Sequence, residues 1–268
     1  MEKKIGFIGC GNMGGALAIA ALNSVGGQYV FVSDADEKKA MGFAEKYGVN
    51  VTSVEEIAKS CDYVFLGVKP QVLRSLCDEL AAIFSTRNDR FVVVSMAAGI
   101  NLQDLKEMCG GNYPIIRIMP NIPASVGAGM ILYTGNRFVE NEDYEEFTRI
   151  LEKAGMLDKI DESKIDAASA ISGCGPAFVF MFIDALADGG VRCGLPRDKA
   201  LMYAAETVFG SAKMIVDTKE HPGKLKDAVC SPSGSTIEGV LSLENASFRA
   251  DIINAVSRSY ERTVELGK

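Results

Sequence analysis

The chain has a single histidine, His221, among its 268 residues. That removes the commonest general base and the commonest metal ligand from nearly all of the sequence. His221 precedes Pro222 and Gly223, a turn setting that reads as structural. No Cys–His or Ser–His pair with an orienting carboxylate suggests itself, and no metal-ligand cluster is visible, so no metal is expected. The seven cysteines, Cys10, Cys61, Cys77, Cys109, Cys174, Cys193 and Cys230, are scattered, and none stands in a CxxC pair. Reduced thiols of a cytoplasmic protein fit this better than a disulfide framework. A basic surplus is also missing: 28 Lys and Arg stand against 35 Asp and Glu, for a net charge of −7. With no dense basic run either, nucleic acid is not an expected partner. No segment reaches about 18 unbroken apolar residues, so no membrane span is expected. Met1-Glu2-Lys3-Lys4 before apolar residues imitates a signal peptide, but glycines break the apolar run and no clear small-residue cleavage site follows.

What the chain does have is an opening stretch from Lys4 to Ile8 that reads as a short apolar strand and runs into Gly9-x-Gly11-x-x-Gly14. Ala16 to Leu22 then continues as a helix. Strand, glycine turn and helix in that order suit a dinucleotide. The first glycine makes the tight turn, the second admits backbone to the pyrophosphate, and the third lets helix pack on strand. The helix start offers unpaired N–H groups and a positive dipole end to the phosphates.

The pattern then repeats. Tyr29 to Ser33, Tyr63 to Gly67, Phe91 to Ser95, Ile115 to Met119, Met130 to Thr134 and Met156 to Ile160 read as strands, with helical stretches at Glu37 to Lys46, Pro70 to Phe84 and Asn141 to Ala154. Asp34 follows the second strand, where an acidic residue accepts hydrogen bonds from a ribose 2′-hydroxyl and so leans to NADH. Ser33, Lys38 and Lys39 could instead hold the 2′-phosphate of NADPH, and Asp34 or Asp36 could merely cap the next helix. Lys69 and Pro70 lie where a strand end meets a helix, the ligand side of such a sheet. Met96-Ala97-Ala98-Gly99 would let the nicotinamide end approach closely, or is simply a tight strand-to-helix turn. Asn121 could point at the nicotinamide or substrate, or stabilise its own turn.

From Glu162 strand alternation ceases. Ala177 to Ala187 is apolar nearly all round, a helix that needs burial on several sides, by its own domain or by another subunit. Arg197 to about Val216 and Phe248 to Leu266 are further helices. The expectation is an α/β fold, a Rossmann-type doubly wound sheet over residues 1–160 followed by an all-helical substrate-binding and dimerisation domain over 161–268, whose excess apolar surface is the reason to expect pairing. The remaining chemistry sits in Ser231-Pro232-Ser233-Gly234-Ser235-Thr236-Ile237-Glu238. Ser235 with Glu238 fits a capping box. The same free N–H groups could receive a substrate carboxylate, with hydroxyls of Ser231 or Thr236 adding hydrogen bonds.

These residues resemble those of the pyrroline-5-carboxylate reductases. The likeness runs through Phe7 to Gly14, Val68 to Gln71, Ser95 to Gly99, Arg117 to Pro123, Ser172 to Phe178, Asp184 to Gly190, His221 to Asp227 and, most specifically, Ser231 to Thr236, similar to the family's Ser-Pro-Gly-Gly-x-Thr signature. Ser233 replaces the first glycine of that pair, and serine disfavours positive φ. An asparagine frequent in the family after Lys-Asp is Ala228 here, so that cofactor contact is absent. The resemblance implies NADPH- or NADH-dependent reduction of 1-pyrroline-5-carboxylate to L-proline, with dimers as building blocks and larger rings of dimers, a decamer among them. It implies cofactor contacts at Gly9, Gly11, Asn12, Met13, Ser33, Asp34, Val68, Lys69, Pro70, Ala97 and Ala98. It implies that Ser231, Gly234, Ser235 and Thr236 hold the substrate, with Glu162 close by, and that Thr236 and Ser231 are the catalytic pair. Two rivals stand behind it. A β-hydroxyacid dehydrogenase would need a lysine after Gly173-x-Gly175, where this chain has Pro176 to Phe180. A nucleotide-binding regulator without turnover would have no use for the intact Ser231–Thr236 loop.

Overall fold

The computed structural model describes residues 2–266. The chain opens with β1 (Ile5–Ile8), α1 (Asn12–Val25), β2 (Val30–Ser33), α2 (Glu37–Tyr47), the two-residue β3 (Asn50–Val51) and α3 (Val54–Ser60). It continues with β4 (Tyr63–Leu66), α4 (Pro70–Phe84), β5 (Val92–Ser95), α5 (Leu102–Cys109) and β6 (Ile115–Met119). Then come β7 (Gly129–Gly135), α6 (Asn141–Leu151), β8 (Gly155–Lys159) and α7 (Glu162–Ser172). The remainder is helical: α8 (Gly175–Arg192), α9 (Arg197–Thr218), α10 (Pro222–Val229), α11 (Ser235–Asn245) and α12 (Phe248–Leu266).

The strands form one eight-stranded sheet in the order β3-β2-β1-β4-β5-β6-β7-β8. Pairing is parallel from β3 to β6, antiparallel between β6 and β7, and parallel between β7 and β8. The order reverses direction between β1 and β4, the switch point at which such sheets take their ligands. Helices cover both faces at the centre of the sheet, so β1, β4 and β5 are buried along their whole length. Tyr63 and Phe65 join α1 and α6 on one face, whereas Val64 and Leu66 join α3, α4 and α5 on the other. Phe7 and Phe65 stack at 4.4 Å between neighbouring strands, a pair that contributes about 0.5–1.5 kcal/mol beyond its buried area.

The described residues divide into two compact units, one running to Gly173 and taking up the chain again at Ser259, the other Cys174–Arg258. The sheet ends at Lys159, but α7 stays with the sheet unit because Ile165 is fully buried against Met119 and Leu132. In the helical unit the buried core is small: Ala187, Ala200 and Ala204, with Ile183 and Val191 packed on them. Much larger side chains lie open, among them Phe180 at 56%, Met181 at 73%, Phe209 at 64% and Ile253 at 63% exposure. So many large apolar side chains left open mark an interaction face.

The stretch Glu162–Arg192 carries an 18-residue window of mean hydropathy 1.7, which by length and composition could cross a membrane. Serine, glycine, proline and aspartate interrupt any unbroken apolar run there, while its alanines and larger apolar residues keep the average high. Length and composition alone are weak grounds for a span, since apolar helices used for packing meet the same test.

Candidate active site

Gly9 follows β1 with φ at +105°, and a Cβ there would stand 2.6 Å from the Gly67 carbonyl oxygen. A Cβ on Gly14 would stand 2.1 Å from the Gly9 carbonyl oxygen. Gly9, Gly14 and Gly67 therefore interlock backbone to backbone at the switch point. From sequence Gly67 stands as the last residue of a strand, but β4 ends at Leu66 and Gly67 belongs to the turn. Gly11 differs: nothing lies within 4 Å of a Cβ placed on it, and its φ of −63° suits any residue. The fold does not need this glycine; its bareness leaves space before α1. Gly11 is the N-cap of α1, no side chain caps that end, and no acidic side chain sits in the first turn. Its orphan N–H groups and positive dipole end form a cradle that fits a pyrophosphate, with half-buried Met13 and exposed Asn12 at its lip.

Asp34 stands beside this turn. Its carboxylate accepts from Cys10 N–H at 2.7 Å and from Asp36 N–H at 3.1 Å, and pairs with Lys39 Nζ at 3.2 Å. Burial alone would raise its pKa, but the backbone donors of Asp36 and Cys10, together with Lys39, hold it below the usual carboxylate range. Burial first, and then Asp34, push the neighbouring Cys10 thiol up to about 11. Asp36, not Asp34, caps α2, accepting from the N–H groups of Lys38 and Lys39. Asp34 is thus left to the glycine turn, with Ser33 buried at the end of β2.

The other cofactor candidates gather at the same carboxyl ends of the strands. Val68 is half-buried, exposed Lys69 is the N-cap of α4, and Pro70 opens that helix. Ala97 is buried and Ala98 exposed on the loop from β5 to α5. Asn121 resolves differently: its amide donates to Ser172 O at 2.8 Å and its oxygen accepts from Met130 N–H at 2.9 Å. Buried to 8% exposure, it is a structural bridge. His221 caps α10, its Nδ1 accepting from Gly223 N–H at 3.1 Å.

The substrate candidates fall in both units. Ser231, Gly234, Ser235 and Thr236 lie together in the helical unit, and Glu162 belongs to the sheet unit. Gly234 N–H donates to Ser231 O at 3.0 Å, closing a turn with Pro232 second and Ser233 third. Ser233 has φ of +55°, the left-handed conformation that the third position of a type II turn demands and that glycine ordinarily fills. A Cβ on Gly234 would lie 2.3 Å from Ser231 Oγ and 3.1 Å from the Ser231 carbonyl oxygen, so a side chain there would displace the Ser231 hydroxyl. The capping box expected of Ser235 and Glu238 does not form. The N-cap of α11 is Gly234 and no side-chain cap bond is made, so Ser235 already lies inside the helix and cannot fold back over it. The first N–H groups of α11 remain without a side-chain cap, among the exposed hydroxyls of Ser231, Ser235 and Thr236. Glu162 is engaged: its Oε1 accepts from Leu102 N–H at 2.6 Å and faces Arg117 Nη1 at 3.4 Å.

A doubly wound sheet with a bare glycine cradle at its switch point and an acidic residue beside it defines a nicotinamide-dinucleotide oxidoreductase with an appended helical unit. Comparison with known proteins narrows the class. Residues 4–99 match the family model for NADP oxidoreductase, coenzyme F420-dependent, and residues 162–266 match that for pyrroline-5-carboxylate reductase dimerisation. The pyrroline-5-carboxylate reductase of Escherichia coli is 43% identical over 272 residues, covering 100% of both chains. The structure of the Coxiella burnetii pyrroline-5-carboxylate reductase superposes with a TM-score of 0.90 at 30% identity, covering 99% of each chain. The Plasmodium falciparum pyrroline carboxylate reductase with NADP bound gives 0.88 at 33% identity, covering 100% of this chain and 99% of that one. The chain belongs to the pyrroline-5-carboxylate reductase family. The dimerisation match accounts for the open apolar face of the helical unit and makes the chain a homo-oligomer built from dimers.

Proposed function

We propose that this chain reduces 1-pyrroline-5-carboxylate to L-proline with NAD(P)H, the glycine turn holding the cofactor and the Ser231–Thr236 loop holding the substrate. The observation that carries the substrate half is the uncapped start of α11, with no side chain over its first N–H groups. A small carboxylate is the ligand such a terminus favours. In this reading the backbone amides of Ser235 and Thr236 hold the carboxylate. The Thr236 hydroxyl hydrogen-bonds the ring nitrogen, and the Ser231 hydroxyl completes the polar rim around Gly234. The substrate is a cyclic imine that readily carries a proton, so its carbon is already electrophilic. Bound NAD(P)H supplies the hydride. No acid stronger than a hydroxyl is needed, and the chain's contribution is orientation. Gly173-x-Gly175 leads into Pro176 and an apolar helix with no lysine nearby, which leaves a carbonyl reductase without its proton donor.

On the cofactor side Gly9, Gly11, Asn12 and Met13 are assigned to the pyrophosphate, Ser33 and Asp34 to the adenosine ribose, and Val68, Lys69, Pro70, Ala97 and Ala98 to the rest. Asp34 favours NADH, because a 2′-hydroxyl can donate to its carboxylate whereas a 2′-phosphate would meet a like charge. Comparing kcat/KM for NADH and NADPH in wild type and Asp34→Ala tests this. The assignment predicts an NADH preference that the variant loses; a wild type preferring NADPH overturns it. We further assign a functional boundary at 160/161, where the sheet ends, an assembly of dimers up to a decamer, and a cytoplasmic location. Seven free cysteines support the last of these.

A further inference from the structure

Arg117 lies in the middle of the sheet at 3% exposure, on β6 opposite Ser95 of β5 and Thr134 of β7. A buried guanidinium is costly unless it is paired. Both its partners come from α7: Nη1 faces Glu162 at 3.4 Å and Nη2 faces Asp166 at 2.7 Å. Its Nε is the one buried side-chain polar atom among the described residues without a hydrogen-bond partner. A strand residue has thus been given a charge, at a cost, to grip one helix. Glu162 passes the grip on. The same Oε1 accepts from Leu102 N–H, the first residue of α5, at 2.6 Å. Leu102 ends the loop that begins at Ser95, whose hydroxyl oxygen faces Ala97 N–H at 3.4 Å. This loop carries Ala97, Ala98 and Gly99, and Gly99 turns it with φ at +76°.

We propose that Arg117 and Glu162 are positioning residues for the cofactor: Arg117 holds Glu162 in place, and Glu162 anchors the far end of the Ala97–Ala98 loop. This rests on the assignment of that loop to the cofactor made above, and it moves Glu162 away from the substrate. Asp166 shares the grip on Arg117 but does not touch the loop, so it separates positioning from mere stability.

The test measures NADH and NADPH dissociation constants by fluorescence titration without substrate, alongside both KM values and Tm. Glu162→Ala is expected to weaken cofactor binding about 5- to 20-fold while the pyrroline-5-carboxylate KM stays within about twofold, as for one lost charge-assisted hydrogen bond on a binding loop. Glu162→Gln keeps an oxygen for Leu102 N–H and is expected to restore binding to within about threefold. Asp166→Asn is expected to lower Tm and leave the dissociation constant within about twofold. A rise in substrate KM with cofactor affinity unchanged in Glu162→Ala would return Glu162 to the substrate and overturn the proposal. So would Asp166→Asn weakening cofactor as much as Glu162→Ala. Ala98→Val adds bulk to the exposed loop residue; if it leaves cofactor affinity unchanged, the loop assignment fails on its own account, whatever Glu162→Ala does.

Discussion

The glycine turn separates fold from function in a way that two substitutions can read. In Gly14→Ala the new methyl would lie 2.1 Å from the Gly9 carbonyl oxygen. Neither partner is a flexible side chain, so α1 must move off β1. Overpacking of backbone on backbone costs about 3 kcal/mol or more. At about 2–4 °C per kcal/mol for a unit of this size, Tm should fall by roughly 6–12 °C. Gly11→Ala meets nothing within 4 Å and has an ordinary φ of −63°. Losing the better N-cap costs it about 0.5–1 kcal/mol. The restricted unfolded chain returns about 0.4–1 kcal/mol. The cofactor-free Tm should therefore move by no more than about 3 °C. On the assignment of Gly11 to the pyrophosphate, its methyl would stand in the path of that group. Loss of one or two charge-assisted N–H bonds, about 1.5–3 kcal/mol each, predicts cofactor affinity at least tenfold weaker. Differential scanning fluorimetry without cofactor and fluorescence titration with NADH decide the matter. The reasoning is refuted if Gly11→Ala is destabilised like Gly14→Ala, or if it binds NADH as the wild type does.

Three further outcomes follow from the same geometry. Thr236→Ala should lower kcat/KM about tenfold to a hundredfold, as for one or two hydrogen bonds to the reacting ring; an unchanged value removes Thr236 from its assigned role. Ser233→Gly relieves a left-handed serine, about 1–2 kcal/mol, against about 0.5–1 kcal/mol of added unfolded-state freedom, so stability should rise by up to about 1.5 kcal/mol; a clear loss would mean that the serine hydroxyl is bonded in the folded state. Asp34 has a depressed pKa, so its contribution to stability is present above its unfolded value of about 3.9 and is lost as pH falls through the folded value. The Tm gap between wild type and Asp34→Asn should accordingly be widest above about pH 5 and close in stronger acid; a gap that persists there contradicts the linkage.

Much of the architecture was legible because each buried strand is an apolar run and each helix start has its own punctuation. Pro70 opens α4 and Ile115–Met119 forms β6 as their residues indicate. The short β3 and the helices α3 and α5 were not read. Asn50–Val51 is too brief for any period to show, and α3 has only seven residues. The antiparallel turn of β7 leaves no mark in sequence, since strand direction is set by the connection rather than by composition. The glycine turn was legible because Gly9 and Gly14 stand where backbone meets backbone, and the Ser231–Thr236 loop because its small turn-forming residues are consecutive in the chain. The Arg117–Glu162–Leu102 connection was not, because its partners are 45 and 60 residues apart and only folding brings them together. The capping box at Ser235 misled for a related reason: the Pro232–Gly234 turn moves the helix start by one residue, and no pattern of residue types reports that shift.

The central claim is tested most directly by following the dihydronicotinamide absorbance band of NADH and of NADPH on addition of 1-pyrroline-5-carboxylate to the purified chain, with the product assayed for L-proline. The account predicts loss of the band matched mole for mole by L-proline, faster with NADH. No turnover with either cofactor would contradict it.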